Sequence, residues 1–139
     1  MKSKKIFISY RFSGEDIKTL KTIMDNITRI LKVKGYNFFC SLYKEDYFKE
    51  YNLSRKQRYD CYKQNVKDSD IILFFIKSDD KSGGMVFELN QAIKHRKKII
   101  LAIQKKLNFP NFRDNAHDII EYNNLNQLYE SLNKYSFKK

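Results

Sequence analysis

The chain has 139 residues, which suits one domain whose core folds without disulfides or metals. Its formal net charge of +12 comes mainly from lysines spread along the sequence, whereas proteins that read bases and phosphates favour arginine, so a nucleic-acid partner is not expected. No run reaches the roughly 18 apolar residues of a membrane span and the N-terminal apolar stretch is too short for a signal peptide, so we expect one soluble, cytoplasmic domain over residues 1–139.

Two strands and a long helix are predicted in the first 40 residues. Residues 4–9 are a short run rich in Ile and Phe, as expected of a strand that is buried on both faces. Residues 16–34 place Leu, Ile and Met at helical spacing, and Gly35 ends that pattern. Residues 36–40 are a second apolar run, which predicts the second strand.

The middle of the chain contains one segment without a clear pattern. Residues 41–53 are aromatic and charged and follow neither period, so we interpret them as a loop on the substrate side or an irregular insertion. Ser54 is placed to cap a helix that runs to about residue 67. Residues 70–76, apolar from Ile71 onward, predict the third strand as one buried on both faces.

An amphipathic helix and further elements complete the pattern. After a Ser-Gly-Gly turn, Val86, Leu89, Ala92 and Ile93 recur at the spacing of a stripe that faces the core. The remaining predicted elements are strands at residues 98–103 and 118–122 and a last helix at about residues 124–135.

Strands that alternate with helices predict a parallel sheet with right-handed crossovers. Five strands in the order 2-1-3-4-5 are the economical arrangement, so we expect an α/β flavodoxin-like three-layer sandwich. In such a sheet, ligands bind in the crevice beyond the carboxyl ends of the strands. The loop at residues 77–84 follows the third predicted strand and lies at such an end.

Glu88 is the candidate catalytic residue. The pattern places it in the first turn of the helix that follows this loop, beside the apolar stripe and next to Phe87. An acidic residue there can simply complement the helix dipole. A carboxylate beside a core stripe is also partly desolvated, however, which raises its pKa and suits a nucleophile or an acid/base group.

Several common motifs are absent from the sequence. Without GxGxxG, Walker A or HExxH, the dinucleotide-fold, NTPase and zinc-protease interpretations lack their phosphate-binding glycines or metal ligands. Cys40 and Cys61 lack CxxC spacing and are interpreted as buried small hydrophobic residues. His95 and His117 stand alone, and we interpret His95 as a surface residue near a helix C-terminus and His117 as structural. We therefore expect neither a metal nor a cofactor.

The segment Ser82-Gly83-Gly84-Met85-Val86-Phe87-Glu88, after an N-terminal strand that ends in a polar loop, resembles the nucleoside 2-deoxyribosyltransferase superfamily, including its deoxynucleoside 5′-monophosphate N-hydrolases. The resemblance covers residues 4–103, and its most specific element is Ser-x-Gly-x-x-x-Glu. It implies that Glu88 attacks the anomeric carbon of the sugar and forms a glycosyl-enzyme intermediate. It also implies a small-molecule nucleotide or nucleoside substrate and a homo-oligomer.

The same resemblance implies the substrate contacts. The residues matching Ser82 and Gly84 line the 5′-phosphate side in the monophosphate hydrolases, whereas transferases of unphosphorylated nucleosides tend to have aspartate in place of Ser82. The loop after the first strand corresponds to the other phosphate and sugar contact region, where Arg11 could contact a phosphate. The implied substrate-binding residues are Ser9, Tyr10, Arg11, Ser13, Gly14, Ser78, Ser82, Gly83 and Gly84.

One position departs from the superfamily. An aspartate that contacts the sugar and assists proton transfer usually precedes the position of Asp70, at a place where this chain has Tyr62, with Asp60 two residues away. Both residues are candidates for the catalytic role. The alternative is that Asp60 is a solvated charge and Tyr62 a packing aromatic. In the first strand, Phe7 stands where the superfamily often has a tyrosine, and Tyr10 is a candidate substitute.

A second resemblance is to Toll/interleukin-1 receptor (TIR) domains. Phe7-Ile8-Ser9-Tyr10, Gly14-Glu15-Asp16 and the stretch from Ser82 to Leu89 match that family's spacing, and its enzymatic members cleave NAD with the glutamate that matches Glu88. The Trp-Cys pair that is usual before this glutamate is Gly84-Met85 here. Three functions stay open: a nucleotide N-glycosidase or deoxyribosyltransferase, a TIR-like NAD glycohydrolase, and a non-catalytic nucleotide-binding or protein-interaction module of the same fold.

Overall fold

A computed structural model describes residues 4–12, 14–80 and 82–137, which form a five-stranded parallel sheet with helices on both faces. The strand order, β2-β1-β3-β4-β5, is the predicted one, so the flavodoxin-like three-layer fold is confirmed. The strands are β1 (Lys5–Ser9), β2 (Asn37–Cys40), β3 (Ile71–Ile76), β4 (Lys98–Gln104) and β5 (Asp118–Tyr122).

Capping side chains fix where the long helices of the described residues begin. Asp16 accepts a hydrogen bond from the Thr19 backbone amide, and Ser54 forms a reciprocal capping box with Gln57. None of the helices in these residues has the length and apolar character of a membrane span. The helices are α1 (Ile17–Val33), α2 (Glu45–Glu50), α3 (Arg55–Asp68), α4 (Gly83–Lys94), α5 (Pro110–Asn115) and α6 (Leu125–Lys134).

The central strand β3 is buried on both faces and divides the core in two. Its alternate side chains point to opposite faces of the sheet, as the period of a strand requires. One cluster packs under α1 and α6, and the other under α3, α4 and α5. The first cluster receives Ile71, Leu73 and Phe75 from β3, and the second receives Ile72, Phe74 and Ile76.

The segment that the sequence predicts as irregular is helical. Ser41–Lys44 form a 3₁₀ turn, and α2 follows it directly. Phe48 of α2 is fully buried and packs edge-on against Tyr62 of α3, with ring centroids 6.0 Å apart. A helix this short shows too few turns for a detectable period and is stabilised mainly by tertiary packing, which is why the prediction was wrong. The short α5 was missed for the same reason.

The helix that carries Glu88 also differs from the prediction. It begins at Gly83, because Ser82 is its N-cap, and Glu88 therefore lies in its second turn rather than its first. Val86 and Ile93, which were expected to face the core, are 47% and 44% exposed. The buried face, which packs against the sheet and α3, consists of Met85, Glu88, Leu89 and Ala92. Glu88 is thus part of the core-facing stripe.

Candidate active site

Glu88 of α4 and Ser9, at the carboxyl end of β1, form the centre of the site. The Ser9 hydroxyl donates a hydrogen bond of 2.6 Å to Glu88 Oε1, and both side chains are buried, Glu88 being 8% exposed. Burial raises the pKa of Glu88 to about 8, and the hydrogen bond from Ser9 opposes this rise by stabilising the carboxylate. The carboxyl group therefore ionises close to physiological pH.

The position of Glu88 is unfavourable for folding. Its neighbours on the buried face of α4 are the apolar residues Met85, Leu89 and Ala92, and an apolar side chain would fit the same stripe. Burying a carboxyl group costs free energy that one hydrogen bond only partly offsets. A titratable group kept at such a position, at the carboxyl edge of a parallel sheet, indicates chemistry rather than stability.

Two tyrosines lie toward the β2 side of this centre. The Tyr10 hydroxyl, just after β1, is 2.9 Å from Ser41 Oγ, and the two groups share a hydrogen bond. Burial, followed by the negative charges of Glu45 and Glu88, raises the pKa of the Tyr62 hydroxyl to about 12. Burial likewise raises the pKa of Tyr10. Both phenols therefore stay protonated at neutral pH and can donate hydrogen bonds to a ligand.

The structure separates the two candidates on α3. Tyr62 packs against the rings of Phe39, Phe48 and Tyr59 and lies within electrostatic range of Glu88. Asp60 is exposed, and side chains two residues apart leave a helix in different directions. The backbone of α3 therefore brings Tyr62 toward the centre of the site and leaves Asp60 in solvent. A catalytic role for either residue stays a prediction.

The start of α4 carries the predicted phosphate contacts. Ser82 Oγ accepts a 3.2 Å hydrogen bond from the Met85 amide. A Cβ added at Gly83 would meet no described atom within 4 Å, and one added at Gly84 would meet only Ser82 Oγ at 3.8 Å. Glycine in a helix costs about 1 kcal/mol relative to alanine, and packing within the described residues requires neither glycine. Their open backbone at a helix N-terminus suits the close approach of an anion.

A cleft of about 580 Å³ lies beyond the carboxyl ends of β3 and β4. Three predicted substrate contacts, Arg11, Ser78 and Ser82, line it. Glu88 is not among the described residues of its wall, so the cleft adjoins the phosphate end of the site rather than the carboxyl group. Ser13, another predicted contact, lies outside the described residues. The apolar part of the wall includes Phe75, Leu107, Phe109 and Phe112.

Ion pairs hold Arg11 at the mouth of this cleft. Its Nη1 lies 3.3 Å from Glu15 Oε1 and 3.4 Å from Asp80 Oδ2. Lys77 Nζ lies 2.8 Å from the other oxygen of Glu15. Gly14 adopts a left-handed backbone with φ of 78°, and a Cβ there would come within 2.9 Å of Arg11 Nη2. The loops after β1 and β3 are thereby joined around the guanidinium group.

Two further residues at the β2 side were not identified from the sequence. Glu45 begins α2, and its Oε2 lies 3.3 Å from Arg58 Nη1. Arg58 precedes Tyr62 by one helical turn, so both lie on the same face of α3. The spacing of Arg58 and Tyr62 is visible in the sequence, but its meaning depends on α2, which has no recognisable pattern.

No protein-family model matches the sequence, and no curated protein matches it significantly. Solved structures do match. The CMP N-glycosidase BcmB of Clostridium botulinum is 20% identical, with a TM-score of 0.72 over 96% of this chain and 100% of that one. A 2-deoxyribosyltransferase of Bacillus psychrosaccharolyticus is also 20% identical, with a TM-score of 0.69 over 96% of this chain and 93% of that one.

The chain has the fold of a 2-deoxyribosyltransferase. A conserved protein from Enterococcus faecalis V583 is a more distant match, 12% identical with a TM-score of 0.62 over 94% of this chain and 98% of that one. The architecture implied by the Ser-x-Gly-x-x-x-Glu resemblance is thus confirmed at the level of fold. A shared fold does not by itself establish the chemistry of the site.

Proposed function

We propose that this protein breaks the N-glycosidic bond of a nucleotide or nucleoside, with Glu88 as the nucleophile. The observation that carries the proposal is the buried carboxyl group of Glu88, hydrogen-bonded to Ser9 at the carboxyl edge of the sheet. Its spacing from Ser82, in Ser-x-Gly-x-x-x-Glu, supports the same chemistry. So does the fold shared with a CMP N-glycosidase and a 2-deoxyribosyltransferase.

In the first step, an ionised oxygen of Glu88 attacks the anomeric carbon while the bond from that carbon to the base breaks. The electron pair of this bond leaves with the base, which takes up a proton from solvent, and the sugar becomes an ester of Glu88. Water or a second base then attacks the same carbon and loses a proton to solvent, and Glu88 departs as a carboxylate. The desolvated surroundings strengthen the attraction between this carboxylate and the positive charge of the transition state.

The other residues have supporting roles in this proposal. Ser9 orients the Glu88 carboxylate and stabilises its ionised form. The amides at the start of α4, with Ser82, bind a 5′-phosphate, and Arg11 adds a cation at the same end. Tyr62 is positioned to donate to the sugar or the leaving base. The homo-oligomer and the cytoplasmic location implied by the sequence analysis are part of the proposal.

The test is a panel of ribonucleoside and deoxyribonucleoside monophosphates, the corresponding nucleosides, and NAD, with free base quantified by chromatography. We expect base release from monophosphates by the native protein and its loss in Glu88→Gln. Glu50→Gln, an exposed substitution of the same type on α2, is the matched control and should retain activity. Cleavage of NAD alone would instead favour the TIR-like function, and saturable binding without base release would favour the non-catalytic module.

A further inference from the structure

The cleft beyond β3 and β4 is larger than a phosphate group requires. Its volume of about 580 Å³ falls within the ~300–1,000 Å³ that is usual for sites of whole small molecules. Ser82, the proposed phosphate contact, lines the cleft, whereas Glu88 is not among the described residues of its wall. A nucleotide with its phosphate at Ser82 and its sugar at Glu88 therefore leaves most of the cleft empty. A group attached to the other side of that phosphate would extend into it.

The loop between β4 and α5 supplies aromatic surface to this cleft. Phe109 and Phe112 line it, and their rings pack edge-on with centroids 6.0 Å apart. Phe112 is buried and packs edge-on against Phe74 of β3, with centroids 5.2 Å apart. Phe109 is only partly buried. One ring of the pair is thus anchored in the core, and the other keeps surface that a ligand can contact.

Arg113 of α5 holds this loop in place. Its guanidinium donates hydrogen bonds to the carbonyl oxygens of Leu107 and Asn108, at 2.6 and 2.7 Å, and its Nη1 lies 3.1 Å from Glu121 Oε2. Phe109 adopts a left-handed backbone with φ of 42°, which a bulky residue rarely does. Such a conformation costs free energy and persists where the surrounding structure imposes it, often at ligand sites. The loop therefore presents Phe109 in a fixed position.

Polar side chains accompany the aromatic surface. Lys106, Asn108 and Asn111 line the cleft and are exposed. The asparagine amides both donate and accept hydrogen bonds, which suits the mixed donors and acceptors on the edge of a nucleobase. An aliphatic chain could use none of these groups. The wall therefore matches a heterocyclic ring, which has an apolar face and a polar edge, better than it matches an aliphatic chain.

We propose that this cleft binds the second nucleoside of a dinucleotide, with its base against Phe109 and the bridging phosphate at Ser82. Arg11 also lines the cleft and supplies positive charge along the bridge. This inference rests on the proposed function for the positions of the phosphate and of the sugar that Glu88 attacks. It goes beyond that function because the substrate carries a second nucleoside on its phosphate.

The first test isolates the contribution of a ring. Dissociation constants of AMP, of CMP and of the methyl and phenyl esters of their phosphates are measured by calorimetry on the Glu88→Gln variant, so that turnover does not interfere. The two esters of each nucleotide carry the same charge and differ only in the group that enters the cleft. We expect the phenyl esters to bind roughly 5- to 100-fold more tightly than the methyl esters, the range for a base against an aromatic side chain.

Substitutions at Phe109 show whether its ring makes this difference. Adding Phe109→Leu to Glu88→Gln should remove most of the preference, because leucine keeps apolar volume and lacks the ring. Adding Phe109→Tyr retains a ring and should retain the preference. Tyr51→Leu is the matched control, since Tyr51 is 60% exposed and is not part of the described wall, and it should leave the preference unchanged. Thermal unfolding of each variant verifies that it is folded.

The second test replaces the phenyl group with a nucleoside. Adenylyl-(3′→5′)-adenosine joins two adenosines through one phosphate, and diadenosine 5′,5′-diphosphate joins them through two. At least one of these dinucleotides should bind to Glu88→Gln more tightly than the methyl ester of AMP does. The tighter of the two identifies the length of the bridge.

Equal binding of the methyl and phenyl esters overturns the inference, and so does binding of none of these compounds. A phenyl preference that survives Phe109→Leu also overturns it, because another group would then contact the ring. Weaker binding of both dinucleotides than of the methyl ester does the same, as expected if a second copy of this chain fills the cleft.

The failure of this inference is distinguishable from that of the proposed function. A phenyl preference in a native protein that releases no base would contradict the proposed function and support the cleft as a binding site. Base release from monophosphates without any phenyl preference would do the reverse.

Discussion

The two ends of the candidate site differ in what positions their polar groups. At the α4 end, Ser82 caps its own helix, and the adjacent glycines leave their amides open. At the α2 end, Glu45 depends on Arg58, which belongs to another helix, and on a buried phenylalanine. Apart from Arg11, the first end is built from consecutive residues, and the second is built from residues that only the fold brings together.

This difference has a consequence for mutagenesis. A binding site made mainly of backbone amides offers few side chains to remove, so a substitution at its glycines acts mainly by filling the space. A site made of side chains loses its contact when a single group is removed. We therefore expect substitutions to act by filling space at the α4 end and by removing a contact at the α2 end, whereas loss of Glu88 removes turnover and leaves binding at both ends.

The largest expected effect is that of Glu88→Gln on turnover. Removal of the nucleophile should lower kcat by at least ~100-fold, while binding at the two ends of the site persists. Steady-state kinetics and calorimetry with the same nucleotide measure the two quantities separately. If the variant kept most of its kcat, neither end could be assigned to a glycosidic site centred on Glu88.

A second effect is the pH dependence of stability that follows from burying the Glu88 carboxyl group. The pKa of Glu88 is raised from an ordinary value of 4.5 to about 8. Between these pH values the Glu88 carboxyl group is ionised in the unfolded chain and still protonated in the folded protein. The free energy of unfolding should therefore fall as pH rises, by about 1.4 kcal/mol per pH unit in that window at most, and level off above it.

Urea unfolding of the native protein and of Glu88→Gln, at several pH values from 5 to 9, measures this contribution. The difference between their free energies of unfolding should shift in favour of the variant as pH rises. A difference that stays constant with pH would mean that Glu88 has an ordinary pKa and is not desolvated.

The proposed phosphate site at the α4 end is tested by Gly84→Trp, which places a large side chain in it. An indole there should fill the space for a phosphate and lower kcat/KM for a nucleoside monophosphate by roughly 10- to 100-fold, the loss expected for charged hydrogen bonds. The matched nucleoside without phosphate should be affected much less, and Gly84→Ala is the milder control. An equal loss for both substrates would argue against a phosphate at this end.

The smallest expected effects distinguish the two candidates on α3. Because Tyr62 faces the site, Tyr62→Phe should lower kcat/KM by about 10-fold, as for the loss of one hydrogen bond. Asp60→Asn should change it by less than about 2-fold, since exposed substitutions away from a site are usually near neutral. A loss of roughly 10²–10⁴-fold in Asp60→Asn would instead identify Asp60 as the acid/base group.

The sequence predicts the fold well because most strands of the sheet are visible in it as short apolar runs. The central strands of the sheet are apolar along their length, as Ile71–Ile76 illustrates, and the helices between strands then dictate the crossovers. The Ser82–Glu88 motif is equally visible in the sequence because its spacing is local, and the roles of the two residues stay predictions. At Val86 and Ile93 the prediction was wrong, because several stripes fit a short amphipathic helix and packing against α3 selects one of them.

The β2 side of the site could not be predicted in the same way. Nothing in residues 41–53 indicates a helix, since α2 is held by the burial of Phe48 rather than by periodicity. The partnership of Glu45 with Arg58 spans two helices and an unrecognised turn. Contacts of this kind follow from tertiary structure, which local patterns do not encode.

The protonation of Glu88 determines the charge that an approaching substrate meets. A neutral carboxyl group at the centre of the site adds no negative charge to oppose the approach of an anionic nucleotide, whereas an ionised one would add such a charge. The nucleophile, however, is the ionised form, so the proton must leave between binding and attack. Each catalytic cycle at neutral pH therefore includes the loss of the Glu88 proton, after the substrate binds and before the carboxylate attacks.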